Sequence, residues 1–395
     1  MAAPATVSAY AAFISIGCSS QVPEKGRGAK RHESGNLPMS YLFSARLRRA
    51  AVIAERKSMK KKVLSVVLAL AVTTTLFSAC STATEETTTT AATAAQTEET
   101  TTTAEETTAA DDSIYPLTYT DAYGNVVTIE SEPETVVSVS PALTEIVFAL
   151  GAQDKLVGRS SYDDYPAEVF DIQDVGPIDL PDTELIASLE PDVVIASSIF
   201  SEEAYNAITE LGIPVVIIRD ETTLTGMFGV IADVADVIGA HEEGEALVAE
   251  LQAELDEITD NVAEEEPSVS VYYCMGYGEY GDYTAGGDTF INDIITTAGA
   301  INAAGDVSGW SFSQEALLEA DPDYILVPSW GYDAFLETEP YSSLTAVQEG
   351  RVIAVDSNMF ERQGPRNLDA VILIQEAISG ANASAAETEA DAEAA

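Results

Sequence analysis

The 395-residue sequence is poor in cysteine, in histidine and, beyond its first fifth, in positive charge. Its three cysteines, Cys18, Cys80 and Cys274, never stand at a metal-ligand spacing, and the folded part holds only one of them. A disulfide framework is thereby excluded. Two histidines, His32 and His241, are too few for a His-rich zinc or manganese site. No metal site and no resident cofactor are expected. Residues 1–80 hold twelve of the 18 Lys and Arg against three acids, Glu24, Glu33 and Glu55. After Cys80, 63 acids face six bases (Lys155, Arg159, Arg219, Arg351, Arg362 and Arg366), a net charge of −57. Phosphate backbones repel such a chain, so nucleic acid is excluded as a partner. An anionic membrane surface repels it too, unless something covalent holds it there.

The first segments are not part of the fold. Residues 1–58 are basic, lack a sustained period and read as a translated upstream extension, with Met59 as the expected start. Residues 59–80 carry Lys60, Lys61 and Lys62, a short apolar core and small residues before a cysteine, a secretory signal too short to span a membrane stably. Its end, Leu76-Phe77-Ser78-Ala79-Cys80, resembles a bacterial lipobox, with Phe77 where an aliphatic residue is usual; the resemblance implies lipidation of Cys80. Residues 81–112 contain no aromatic and no large aliphatic residue, and cannot bury enough surface to offset ordering entropy. They read as a disordered tether.

Beyond residue 112, strand and helix alternate. In residues 113–221 a hairpin turns at Gly124-Asn125; strands are expected at Thr135–Ser140, Lys155–Arg159, Asp192–Ala196 and Pro214–Ile218, and helices at Pro141–Leu150, Asp182–Leu189 and Ser201–Leu211. Residues 267–380 repeat the plan, with strands at Ser268–Cys274, Asp323–Val327 and Arg351–Val355 and helices at Thr289–Ala298, Ser313–Ala320 and Asn367–Ile378. Thr183–Ile195 echoes Gln314–Leu326, an internal repeat with a period near 130 residues. Between the halves, residues 222–266 read as helix with a break at Gly239–Gly244. The expected fold class is α/β: two Rossmann-like lobes with mainly parallel sheets, joined by a single long α-helix, and a flexible tail at 381–395.

In such sheets ligands bind outside the carboxyl ends of the strands. The loops there hold Tyr162, Tyr165, Phe200, Tyr277, Trp310, Trp330, Arg362 and Arg366. Aromatic rings with a few guanidinium groups suit a large, flat, partly polar ligand. Catalytic machinery is scarce: Asp163 and Asp164 are adjacent and point apart on a strand end, no Gly-x-Ser-x-Gly elbow occurs, and the glycines at 281–287 lack a phosphate-loop lysine. No catalytic residue is assigned.

Several segments together resemble the substrate-binding lipoproteins of bacterial ABC importers for cobalamin, ferric siderophores and haem. They are Val137–Ile146, Leu189–Ile195 and Gly299–Asn302. Ser160–Pro166 and Phe360–Arg366 are similar to the pocket loops of the cobalamin-binding members, with Asn358 standing where an Asp is usual. The resemblance implies a ligand lined by Tyr162, Phe200, Trp310, Asn358 and Arg362, and docking on a permease through Glu184 and Glu315, which occupy equivalent places in the two repeats. The expectation is a monomeric, lipid-anchored extracytoplasmic protein that delivers a corrinoid to the transmembrane subunits of an ABC permease. A ferric siderophore or haem is the alternative cargo. A hydrolase using Asp163, and an adhesin or sensor with Trp310 in its core, are the alternatives of other classes.

Overall fold

A computed structural model describes residues 114–260, 262, 267–278 and 281–393, and from residue 380 onward the backbone alone. The extension, the signal with Cys80 and the tether lie outside the described residues.

The first lobe opens on a hairpin, β1 (Leu117–Thr120) and β2 (Val126–Ile129). The buried carboxylate of Asp121 holds its turn, accepting from the backbone N–H of Tyr123 and Asn125. Then come β3 (Val136–Ser138), α1 (Pro141–Ala149), β4 (Leu156–Arg159), α2 (Thr183–Ser188), β5 (Val193–Ala196), α3 (Glu202–Thr209) and β6 (Val215–Ile217). Two helices come next, α4 (Leu224–Ile238) and α5 (His241–Asp260). The second lobe contains β7 (Ser270–Tyr273), β8 (Asp282–Tyr283), α6 (Phe290–Thr297), β9 (Ile301–Asn302), β10 (Ser311–Phe312), α7 (Gln314–Ala320), β11 (Tyr324–Pro328), α8 (Tyr332–Glu337), α9 (Thr345–Gln348), β12 (Val352–Val355), α10 (Asn358–Glu361) and α11 (Arg366–Glu393).

Both four-stranded sheets are parallel and have one topology. The first runs β4-β3-β5-β6 and the second β9-β7-β11-β12, so the opening strand of each sheet sits between the second and third strands of that sheet. The repeat reaches the level of single hydrogen bonds. After α2 and α7 the chain enters the left-handed region at Glu190 (φ 50°) and Asp321 (φ 36°), passes a proline and reaches Asp192 and Asp323. Each of those carboxylates pins the start of the opening strand: Asp192 accepts from the N–H of Thr135 at 2.9 Å, and Asp323 from that of Ser270 at 2.8 Å.

Residues on the strands alternate between two faces. Val137, Val194, Ala196, Val215 and Ile217 pack under α2 and α3. Val136, Val193, Ile195 and Val216 join Met227, Ile231 and Val234 of α4, and the same continuous core takes in Val271, Tyr273 and Leu326 of the second sheet. The lobes therefore share one dry seam around α4, whose Met227, Ile231, Val234, Val237 and Ile238 are fully buried. That seam makes the link stiff, because separating the lobes would expose it.

Two boundaries differ from the sequence reading. The element touching both lobes is α4, the first half of the linking segment; Gly239 (φ 72°) ends it and α5 lies back against it. Gly244 permits that approach, since a Cβ there would stand 2.4 Å from the Ala235 Cβ. The last helix continues through Glu393 where a frayed tail is expected from residue 381 on, in keeping with the helix-forming Ala and Glu of that stretch.

Candidate functional site

Strand β4 ends at Arg159 and delivers the loop Ser160–Pro166; helix α1 begins just past the carboxyl end of β3. Thr144, inside that helix, donates to Asp163 Oδ2 at 2.7 Å, and Ser160 Oγ donates to Oδ1 at the same distance. Asp163 is 1 % exposed, and burial pushes its carboxyl up to about 6 although both hydroxyls favour the anion. It holds the loop to the helix and is closed off from any substrate.

From the second lobe, α10 and the turn into α11 present Asn358, Arg362 and Arg366 to that loop. Arg362 Nη1 donates to Glu145 Oε1 at 2.9 Å and to Asp164 Oδ1 at 2.6 Å, and its Nη2 to the Tyr162 carbonyl at 3.2 Å. Arg366 forks onto Glu145, Nε to Oε2 at 2.7 Å and Nη2 to Oε1 at 2.6 Å, and stacks 4.4 Å from the Tyr165 ring centre. Asn358 Nδ2 donates to Asp164 Oδ2 at 3.3 Å. Glu361, next to Arg362, accepts from the Tyr273 hydroxyl at 2.9 Å; burial raises its carboxyl to about 7.

The structure thus brings together five of the residues singled out by sequence: Tyr162, Tyr165, Asn358, Arg362 and Arg366. Tyr277 lies apart, its hydroxyl on the Gly331 carbonyl at 3.0 Å and its ring edge-on to Phe335 and Tyr341. Trp330, next to Gly331, is 74 % exposed. Trp310 is half-buried against the shared core, its carbonyl accepting from Thr284 N–H. Phe200 is 2 % exposed within the outer core of the first lobe, so ligand contact would require its ring to leave that core. Glu184 and Glu315 are exposed in the first turns of α2 and α7, whose N-caps Asp182 and Ser313 accept from Leu185 and Ala316 N–H. Sequence reasoning missed Glu145. Its signal was there: it is the lone charge in the apolar helix PALTEIVFA.

Among the described residues every cationic side chain meets a carboxylate. Lys155 pairs with Glu132, Arg159 with Asp174, Arg219 with Glu221 and Asp233, His241 with Asp236, and Arg351 with Glu349, besides Arg362 and Arg366. Also among the described residues, no helix is long and apolar enough to cross a membrane, and no group of three or more acidic, histidine or cysteine side chains could hold a metal.

The model of the family described as periplasmic binding protein matches residues 136–359, from β3, the opening strand of the first parallel sheet, into α10 of the second lobe. An uncharacterised ABC transporter substrate-binding lipoprotein of Bacillus subtilis is 32 % identical over 274 residues, covering 67 % of this chain and 86 % of its own. A cobalamin-binding protein of Halobacterium salinarum is 30 % identical over 266 residues, 64 % of this chain and 71 % of that one. Among solved structures, the apo periplasmic haem-binding protein of Roseiflexus is 29 % identical with a TM-score of 0.57, covering 62 % of this chain and 98 % of its own. With two equivalent lobes around a stiff helix and a family match that spans both, the chain belongs to the periplasmic binding protein family, the extracytoplasmic binding proteins of ABC importers.

Proposed function

We propose that the protein captures a corrinoid between its lobes and delivers it to the transmembrane subunits of an ABC permease. The observation that carries this reading is the pairing of every described cation with a protein carboxylate. A multiply anionic chelate entering here would have to strip a carboxylate from a guanidinium, in a domain already strongly negative. A corrinoid carries its periphery mostly as neutral amides, which hydrogen-bond to Asp164, Asn358 and the outer edge of Arg362 without displacing a charge. The rings of Tyr162, Tyr165 and Trp330 offer apolar area for the macrocycle. The 30 % identity to a cobalamin-binding protein supports the same cargo. Lipidation at Cys80 anchors a monomer to the outer face of the membrane, and Glu184 and Glu315 meet basic residues on the permease. No bond is made or broken.

A ferric chelate or haem is the second reading, favoured by the 29 % identity to a haem-binding protein. Titration of the full-length protein decides between them. Trp310 and Trp330 are the only tryptophans of the chain, and their fluorescence reports on the second lobe's side of the site. Saturable quenching by cyanocobalamin and cobinamide, weakened at least tenfold in Arg362→Ala, is the expected result. Quenching by haemin or a ferric hydroxamate alone would overturn the corrinoid reading and leave the transport role standing.

A further inference from the structure

We infer that Glu145 is the positioning residue that fixes Arg362 and ties the two lobes together at the site. The inference rests on the reading that Arg362 touches the ligand. Glu145 cannot touch it, being 7 % exposed within α1. Yet both its oxygens are occupied by guanidinium groups 217 and 221 residues further along, on the opposite lobe. One buried carboxylate therefore faces two nearly buried cations, with side-chain exposures of 14 % for Arg362 and 11 % for Arg366. The remaining positive charge is met at the rim by Asp164 and Asp356, each about half exposed. Water screens those rim pairs, so they hold little by themselves. The buried pair is different: without the carboxylate, two desolvated guanidinium groups would stand uncompensated.

The strap that carries the arginines is stiff, so fixing it at one point fixes all of it. Asn367 Nδ2 donates to the carbonyls of Met359 at 2.8 Å and Arg362 at 3.0 Å, and its Oδ1 accepts from Gly364 N–H at 2.7 Å. The Gln363 amide clamps the backbone of Glu221 from both sides, accepting at 3.0 Å and donating at 2.6 Å. That clamp binds the strap to the end of the first lobe, whereas Glu145 is the buried carboxylate that hydrogen-bonds both guanidinium groups. Glu145 thus sets which edge of Arg362 is left for a ligand. It does so through a fork geometry that a lysine or an amide would not reproduce.

The test compares Glu145→Gln, Glu145→Asp and Gln363→Ala in the full-length protein. Hydrogen exchange read by mass spectrometry without ligand follows residues 356–367, and tryptophan quenching by cyanocobalamin and by haemin gives affinity. In Glu145→Gln, exchange in 356–367 is expected to rise at least tenfold while β3 and β11 keep their protection. Affinity for whichever chelate the wild type binds should fall at least tenfold. Glu145→Asp, which keeps the charge, should lose less in both, and Gln363→Ala should loosen the strap with a smaller loss of affinity. Unchanged exchange in Glu145→Gln overturns the inference whatever the protein binds. A loosened strap with wild-type affinity overturns the positioning of Arg362. A wild type that binds neither chelate defeats the functional reading, and the exchange measurement still decides the cross-lobe tie. Should Glu145→Gln fail to fold, Arg366→Lys keeps the charge, removes the fork and is read by the same two measurements.

Discussion

Two carboxylates flank Arg362, the buried Asp163 and the half-buried Glu361, and at the scale of single residues they make the stability of the site depend on pH. Burial raises Asp163 to about 6 and Glu361 to about 7, both above the ordinary carboxylate range. The folded state therefore holds their protons more tightly than the unfolded chain. Their contribution is fully present below about pH 4 and is lost as pH rises, through about 6 for Asp163 and about 7 for Glu361. A two-unit shift corresponds to about 2.7 kcal/mol. Melting curves of wild type and Asp163→Asn from pH 4 to 8 should converge on raising the pH to 6, with wild type the more stable on the acid side by an amount that shrinks through this window. Parallel curves would show that Asp163 does not titrate there. Cys274 is inert by the same physics, since burial pushes its thiol far up.

At the scale of elements, the packing of α4 on α5 turns on a missing side chain. Because a Cβ at position 244 would meet the Ala235 Cβ at 2.4 Å, Gly244→Ala must push the helices apart or bend one of them. Overpacking of this kind costs about 1–3 kcal/mol. Urea unfolding should show that loss for Gly244→Ala and almost none for Ala substitution at the exposed neighbour Glu243. The same element-level logic made most of the fold legible. Apolar alternation, N-cap residues and terminal glycines placed the strands and helices of both sheets within a few residues. They did not place the two-residue strand β9 of the second sheet, nor α8, α9 and α10, since elements this short are set by packing rather than by periodicity.

For the whole molecule, charge dominates. With 63 acids against six bases beyond Cys80, and each of those bases already paired, the rest of the charge is mutual repulsion. Added salt should therefore raise the melting temperature by several degrees between about 0.01 and 0.5 M, where the screening length drops from about 30 Å to less than 8 Å. A fall instead would mean that the ion pairs outweigh the repulsion. The same surface bears the proposed dock. Reversing charge at both Glu184 and Glu315 should abolish retrieval of permease subunits from solubilised membranes and leave ligand affinity unchanged. Reversing the nearby exposed Glu319 should do neither.

Class and layout were legible in the sequence alone, because periodicity, capping and repetition are local properties of the chain. The places of Tyr162, Tyr165 and Arg362 beyond the carboxyl ends of strands were legible in the same way; Asn358 came only from the resemblance to the cobalamin-binding members. The folded chain was needed to show that Arg362 and Arg366 converge on Glu145, that Phe200 lies in the core, and that the first half of the linking segment does the joining. Those facts depend on contacts between residues more than 200 positions apart and on which face of a helix is dry. A lone glutamate in an apolar helix is visible in the sequence, but the pair of cations that makes its burial tolerable is assembled only when the two lobes meet.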